Sequence, residues 1–189
     1  MDHYIDIRLR ADPDFPPAML MGALYARLHR ALFELEAEDI GVSFPDYRTG
    51  VKARTPGARL RIHGEKGRLK ALMARAWLTG LRELVECSDV TPVPAGASHR
   101  IVKRRQFNTG SPSRARRYAR RHDVSETEAQ QLMNAPAQRR IELPFVQISS
   151  RSTGERFALF IEHGPLQSQP ASGHFTLYGL SRNATIPWF

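Results

Sequence analysis

The chain has 189 residues, 41% of them hydrophobic and 25% charged, with a net charge of +9 at pH 7. That length suffices for one large domain or two small ones with real cores, and the absence of low-complexity tracts excludes a disordered chain. No apolar run reaches the roughly eighteen residues of a membrane helix, the start lacks the basic-then-apolar layout of a leader, and the single Cys87 excludes an internal disulfide or a cysteine-rich zinc site.

A reducing cytoplasm is therefore the expected compartment. The first predicted element is a strand in "YIDIRLR", where Ile5, Ile7 and Leu9 alternate with Asp6, Arg8 and Arg10. Pro16 and Pro17 open a helix in which Leu20, Leu24, Leu28, Ala31 and Leu32 recur at helical spacing. "IGVSF" and "ARLRIHG" read as two strands joined by a polar loop, "EKGRLKALMARAWL" as a second helix, and "LRELVECSDVTPV" as the source of a fourth strand. The order β-α-β-β-α-β is the split βαβ of the ferredoxin-like fold, whose sheet offers an open face on which RNA can bind. "TPVPAGASH" (91–99) is rich in Pro, Gly and Ala and reads as a linker. The expected organisation is α+β: a ferredoxin-like domain over 1–94 and a nucleic-acid-binding region over 95–189.

The second half opens with the basic extended stretch "RIVKRRQF" and then "SRARRYARRHDVSETEA". Ser125 followed by Glu128 is a capping-box signature, so a fresh helix begins near 125. "LPFVQISS" and "RFALFIEHG" flank "RSTGE" as a hairpin, and "GHFTLYGLS" with "TIPWF" is expected to complete a β-rich end.

Charge is unevenly divided. Residues 1–98 hold 14 Lys and Arg against 13 Asp and Glu, a net of +1; residues 99–189 hold 14 against 6, a net of +8. Between 99 and 121 there are nine basic residues and no acidic one. Such a field attracts a polyanion with salt-sensitive affinity. At about 100° per residue, Arg114, Arg116, Arg117, Arg120 and Arg121 share an arc of about 160°, while Ala115, Tyr118, Ala119 and His122 occupy the other side. Guanidinium forks grip phosphates bidentately. A solvated basic face is the ordinary alternative, but five like charges without acidic neighbours at i±4 repel one another. The helix lacks the broad apolar face of a membrane-surface helix. Charge alone leaves RNA and DNA both open.

Several long segments together carry a resemblance: "MDHYIDIRLR", "FPPA", "GVSFPD", "RLRIH", "RRHDVSE", "LPFVQISSRSTGERFALFIEHGPLQ" and "FTLYGLS…PWF". On these the chain resembles, almost end to end, the type I-F CRISPR RNA-processing endoribonucleases, the Csy subfamily of repeat-cleaving enzymes. The resemblance implies a ferredoxin-like N-terminal domain and an arginine-rich helix that binds the CRISPR repeat hairpin, with cleavage of pre-crRNA at the 3′ base of the stem. It places Arg116, Arg117, Arg120 and Arg121 along the hairpin's major groove. It implies that Arg104 and Gln106 read base edges near the bottom of the stem, a pairing their donors permit. A phosphate contact is the alternative for Arg104, and Arg105 is its neighbouring candidate. Phe157 matches the ring that stacks on the terminal base pair, or else is a core residue continuing the alternation of Leu159 and Ile161.

Metal-free RNA cleavage uses the RNA's own 2′-OH and needs a group that moves protons near neutral pH, for which histidine is suited. The chain has seven: His3, His29, His63, His99, His122, His163 and His174. The resemblance singles out His29, which follows Leu28 at the edge of the first helix's apolar stripe, as the catalytic base or acid. It likewise implies that Ser150 fixes the ribose at the cut, Tyr178 orients the imidazole, and Ser152 lies near the scissile phosphate. No cofactor or metal is expected, and the products would be a 2′,3′-cyclic phosphate and a 5′-OH. Family behaviour further implies that the enzyme, a monomer when free, stays on its crRNA and joins the other subunits of a crRNA-guided surveillance complex. A non-catalytic hairpin-binding protein and a DNA-binding regulator are the competing functions.

Overall fold

The computed structural model describes residues 1–50, 54–107, 112–134, 142–149 and 156–189. Among these residues ten strands and four α-helices follow in chain order: β1 (His3–Leu9), α1 (Pro17–Glu34), β2 (Gly41–Ser43), β3 (Arg59–Gly64), α2 (Lys66–Ala74), β4 (Val85–Cys87), β5 (Thr91–Pro92), β6 (Ser98–Arg100), β7 (Val102–Arg105), α3 (Pro112–His122), α4 (Glu126–Asn134), β8 (Phe145–Ser149), β9 (Arg156–His163) and β10 (Ile186–Trp188). They fall into two compact units. One comprises Met1–Arg104 with Leu143–Phe189, and the other Arg105–Glu142. This partition by packing differs from a cut at 94/95, because β8, β9 and β10 belong with the N-terminal strands.

In the larger unit, β2, β3, β1 and β4 form an antiparallel sheet in that order, with β5 also pairing with β1. Strand alternation sends Ile5 and Ile7 of β1 and Leu60 and Ile62 of β3 into a core with Leu24, Leu28 and Leu32 of α1. Val146 and Ile148 of β8 and Leu159 and Ile161 of β9 belong to the same core. Strand order β7-β9-β8 makes a second sheet, and β10 pairs with β6. Gly22 shows how closely α1 lies on β8: a Cβ there would stand 2.6 Å from the Gln147 carbonyl oxygen. A residue that normally weakens a helix interior is thus required by the contact.

Four expectations change. The second helix stops at Ala74, and Arg75 is extended (φ −78, ψ 139). The good helix formers beyond it are overridden because Leu78 and Leu81 turn inward and are buried in the core. The fourth strand is two short pieces, β4 and β5. They are interrupted where Ser88 captures the Asp6 N–H through its hydroxyl (2.9 Å) and donates that hydroxyl to the Asp89 carbonyl (2.9 Å). Both ends of the 91–99 stretch are paired strands, not free linker. "GHFTLYGLS" is no strand: Gly179, at φ +68, closes a turn with its N–H donated to the Thr176 carbonyl at 2.7 Å.

The polar face of the first sheet is also occupied. Arg61, 5% exposed, donates to both Asp6 carboxylate oxygens (2.7 and 2.9 Å) and to the Phe189 oxygen (3.1 Å). Its guanidinium lies against both the Tyr4 and Phe189 rings, 4.6 and 4.0 Å from their centroids. Around Arg61 this face is not an open stacking platform. Of the described helices, none is long and apolar enough to cross a membrane.

In the smaller unit, α3 and α4 pack through Ala115, Ala119 and Ala129, all buried, with Tyr118 and Val124 at the edge. Asp123 takes the left-handed conformation (φ 52) between the helices. The expected capping box forms reciprocally. The Ser125 hydroxyl accepts from the Glu128 N–H at 3.1 Å, and the Ser125 N–H donates to the Glu128 carboxylate at 3.1 Å.

Candidate active site and nucleic-acid interface

Helix α1 carries two polar side chains one turn apart, Tyr25 and His29, on the edge of its buried face. Both reach the turn at 176–179. Tyr25, fully buried, donates its hydroxyl to the Tyr178 carbonyl at 2.7 Å. His29 Nδ1 lies 2.8 Å from the Leu177 carbonyl oxygen. A carbonyl only accepts, so Nδ1 must carry the proton, and in the neutral ring Nε2 keeps the lone pair. No described residue occupies Nε2. The Tyr178 ring stacks flat on the imidazole, with centroids 3.8 Å apart and planes 9° from parallel.

The turn is in turn fixed to the sheets. The Val42 N–H donates to the Gly179 carbonyl (2.8 Å), and the Ser181 N–H to the Val102 carbonyl (3.0 Å). The Ser181 hydroxyl donates to the His174 carbonyl at 2.7 Å and accepts the Ala184 N–H at 2.9 Å. The imidazole is therefore held on one edge and supported on one face, and among the described residues its Nε2 has no partner. Beside it, the exposed Arg104 places its guanidinium 6.0 Å from the Tyr178 ring and 5.7 Å from the Phe157 ring. Phe157 is half-buried at the start of β9 and packs on the core, so it is partly a core residue and partly a surface ring.

The other histidines differ in kind. His63, fully buried, takes one hydrogen bond with Ser43 (2.8 Å), and burial drives its pKa down to about 3. His163, against Tyr47 (3.9 Å) and Trp188 (5.2 Å), is likewise lowered to about 3, first by burial and then by Arg100. Both are neutral and enclosed at neutral pH. His174 is an exposed surface partner of Glu38, and His122 stacks on Tyr118 within the smaller unit.

In that smaller unit Arg116, Arg117, Arg120 and Arg121 are all exposed, while Ala115 and Ala119 face inward. The alternation read from sequence is thus the alternation of the folded helix. Arg116 has one acidic neighbour, Glu126, at 3.7 Å, with both side chains largely exposed. Such a pair contributes little and releases readily to a phosphate. Gln106 is exposed just after β7. Ser150 and Ser152 lie outside the described residues, as does the side chain of Arg114.

Two contributors escape a reading by composition: Tyr25, which anchors the turn, and Gly179, which makes it. The i, i+4 spacing of Tyr25 and His29 was the available signal for the first. Nothing local pointed to the adjacent Leu177 and Tyr178 carbonyls that His29 and Tyr25 reach.

Residues 4–189 match the family described as CRISPR-associated protein (Cas_Csy4). The chain is 48% identical, over the full length of both, to the CRISPR-associated endonuclease Cas6/Csy4 of Pseudomonas aeruginosa (strain UCBPP-PA14). It is 44% identical, again over both full lengths, to the CRISPR-associated endonuclease Cas6/Csy4 of Escherichia coli (strain UTI89 / UPEC). Matches of this extent show an enzyme, an endonuclease: the chain belongs to the Cas_Csy4 family of CRISPR-associated proteins.

Proposed function

We propose that the protein is a metal-independent endoribonuclease that grips the hairpin of the CRISPR repeat and cuts pre-crRNA at the 3′ base of the stem. The observation that carries this reading is the His29 ring, whose Nδ1–H is committed to the Leu177 carbonyl and whose Nε2 is left for substrate. The ribose 2′-oxygen attacks the adjacent phosphorus, the P–O5′ bond breaks, one proton leaves the 2′-OH and one reaches the departing O5′. His29 moves one of those protons, as base or acid. The flat stack on Tyr178 holds the ring in plane, and Ser150 fixes the 2′-oxygen, with Ser152 near the phosphate. The products are a 2′,3′-cyclic phosphate and a 5′-OH.

Arg116, Arg117, Arg120 and Arg121 contact the phosphates of the stem's major groove. Arg104 or its neighbour Arg105, with Gln106, reads base edges below the stem, and Phe157 stacks on its last pair. The strand order β2-β3-β1-β4, with a helix in each βαβ crossover, supports the ferredoxin-like reading of residues 1–94, and residues 95–189 supply most of the RNA contacts. In the cytoplasm the enzyme, a monomer until then, keeps its crRNA and joins the other subunits of the type I-F surveillance complex.

The test is cleavage of the repeat stem-loop in EDTA. The wild type should cut it, and a single deoxyribose at the cut site should abolish cutting with affinity unchanged. Binding without cutting would support a non-catalytic hairpin binder instead, and preference for duplex DNA a regulator.

A further inference from the structure

Between α1 and the segment that follows α2, a groove of about 460 Å³ is lined by Arg27, Arg30, Glu34, Arg75 and Trp77. Three guanidiniums meet one carboxylate there. Glu34 is shared between Arg30 (3.4 Å) and Arg75 (3.6 Å), and both pairs are about half exposed. Arg27 is half-buried, yet it makes no ion pair or hydrogen bond among the described residues. The Trp77 indole Nε1 is buried, and its hydrogen too has no acceptor among the described residues. A half-buried cation and a buried N–H both need an acceptor, and the one carboxylate in the groove is already engaged. A further carboxylate satisfies both, since its two oxygens can take a guanidinium fork and an N–H beside it.

The surroundings say what kind of molecule carries that carboxylate. Phe33, 63% exposed, stands one turn from Arg30 on α1. A large apolar ring in water beside a charged groove suits a protein surface with apolar side chains of its own. At the same end of the helix Glu36 and Glu38 are exposed, Glu38 with His174 at 3.4 Å. A phosphate chain would bring repeated anions to this end, and Glu34, Glu36 and Glu38 oppose it. A protein segment can bring one carboxylate with a basic side chain near it and so match both signs. Arg27 lies roughly 160° around α1 from His29, so a segment seated here leaves the imidazole uncovered.

We propose that the Arg27–Arg75–Trp77 groove docks a partner protein by seating one Glu or Asp side chain of an exposed segment. An apolar neighbour of that residue covers Phe33, and a basic neighbour meets Glu36 or Glu38. Docking of this kind needs no role for His29.

The test follows the two indole N–H signals of isotope-labelled protein, those of Trp77 and Trp188, during titration at constant ionic strength. The probes are acetyl-Leu-Glu-Lys-amide, acetyl-Leu-Gln-Lys-amide, a uridine trinucleotide and sodium acetate. The glutamate peptide should move the Trp77 signal with a Kd of about 1 mM, the scale of a single small contact. The glutamine peptide should bind at least about tenfold more weakly, because the charge-assisted bonds are lost. Arg27→Gln should weaken the glutamate peptide about tenfold, and Arg75→Gln, at a more exposed position, about threefold. An unmoved Trp188 signal marks an intact fold; should Arg27→Gln disturb it, Arg75→Gln alone decides. A still Trp77 signal, an equal response to the glutamine peptide or to acetate, or a response that survives the deciding substitution overturns the proposal. A stronger response to the trinucleotide assigns the groove to nucleic acid and overturns it as well.

Discussion

The imidazole turn and the arginine helix are held by very different amounts of protein. His29 sits on an eighteen-residue helix pressed against β8. Its turn receives hydrogen bonds from Tyr25, His29, Val42 and Gly179. Helix α3, by contrast, keeps its smaller unit together with three buried alanine methyls. The contrast follows from what each must do. The proton transfer proposed for His29 tolerates little misplacement, and an over-determined ring meets that demand. An array of guanidiniums proposed to grip phosphates needs only spacing and exposure, and an apolar face broad enough for a large core would displace those charges.

The sharpest way to break the comparison is to separate rate from grip. His29→Ala should slow single-turnover cleavage at saturating enzyme by about 10³-fold, within the range for a lost proton-transfer group, and leave the Kd for the hairpin within about twofold. A wild-type rate would remove His29 from the chemistry and leave the stacked pair as mere packing.

Next in size is the reverse experiment. Arg117→Glu with Arg121→Glu should weaken hairpin binding about 100-fold at moderate salt and flatten the salt slope by about 2, with the bound-state rate within about threefold of wild type. A large loss of rate in the saturated complex would mean that the helix takes part in catalysis and that grip and chemistry are not divided.

These two regions were also unequally legible in sequence. The arginine face needed only periodicity: Ala115 and Ala119 fall opposite the cations at 100° per residue, and they are buried in the fold. Ser125 and Glu128 sit three apart, and a local motif of that kind forms wherever the helix forms. Strand β1, with its strict alternation, was legible for the same reason. The active-site turn was not, because its geometry is long-range. Leu177 and Tyr178 accept bonds from residues 148 and 153 positions away. Nor did any local signal show that Arg61 and Phe189, 128 positions apart, would meet on the polar face of the sheet. The end of α2 failed for a related reason, since Leu78 and Leu81 gain more by burial than the helix loses by stopping.

Acid should sharpen the contrast at intermediate size. His63 is neutral in the fold, its pKa lowered from 6.5 to about 3 by burial, so the unfolded chain binds the extra proton below pH 6.5. Stability from this group is fully present above that value and is lost as pH falls toward 3. At pH 5 the loss is on the order of 2 kcal/mol, and His163 pushes the same way. Thermal unfolding of the larger unit should therefore move down between pH 7 and pH 5. His63→Gln should start lower at pH 7 and fall less. An identical acid slope in that variant would mean that His63 is not the titrating group.

The smallest expected effect belongs to the smaller unit and runs in a different pH window. Hydrogen bonds from the Ser125 hydroxyl and N–H lower the Glu128 carboxyl below its ordinary value of 4.5. A depressed carboxyl contributes stability above 4.5 and loses it only as pH falls through the lower folded value. The cap should thus persist through the range in which His63 already weakens the larger unit. Ser125→Ala removes the hydroxyl that serves both the Glu128 N–H and its carboxylate. Amide exchange in α4 should then speed by about fivefold, the usual size of a lost N-cap, with exchange around His29 unaltered. Because the arginine helix leans on α4 through Ala129, hairpin affinity should fall two- to threefold, with no change in the bound-state rate. Faster exchange at the 176–179 turn would show that the two units unfold together, and the division between a fixed centre and a lightly supported grip would fail.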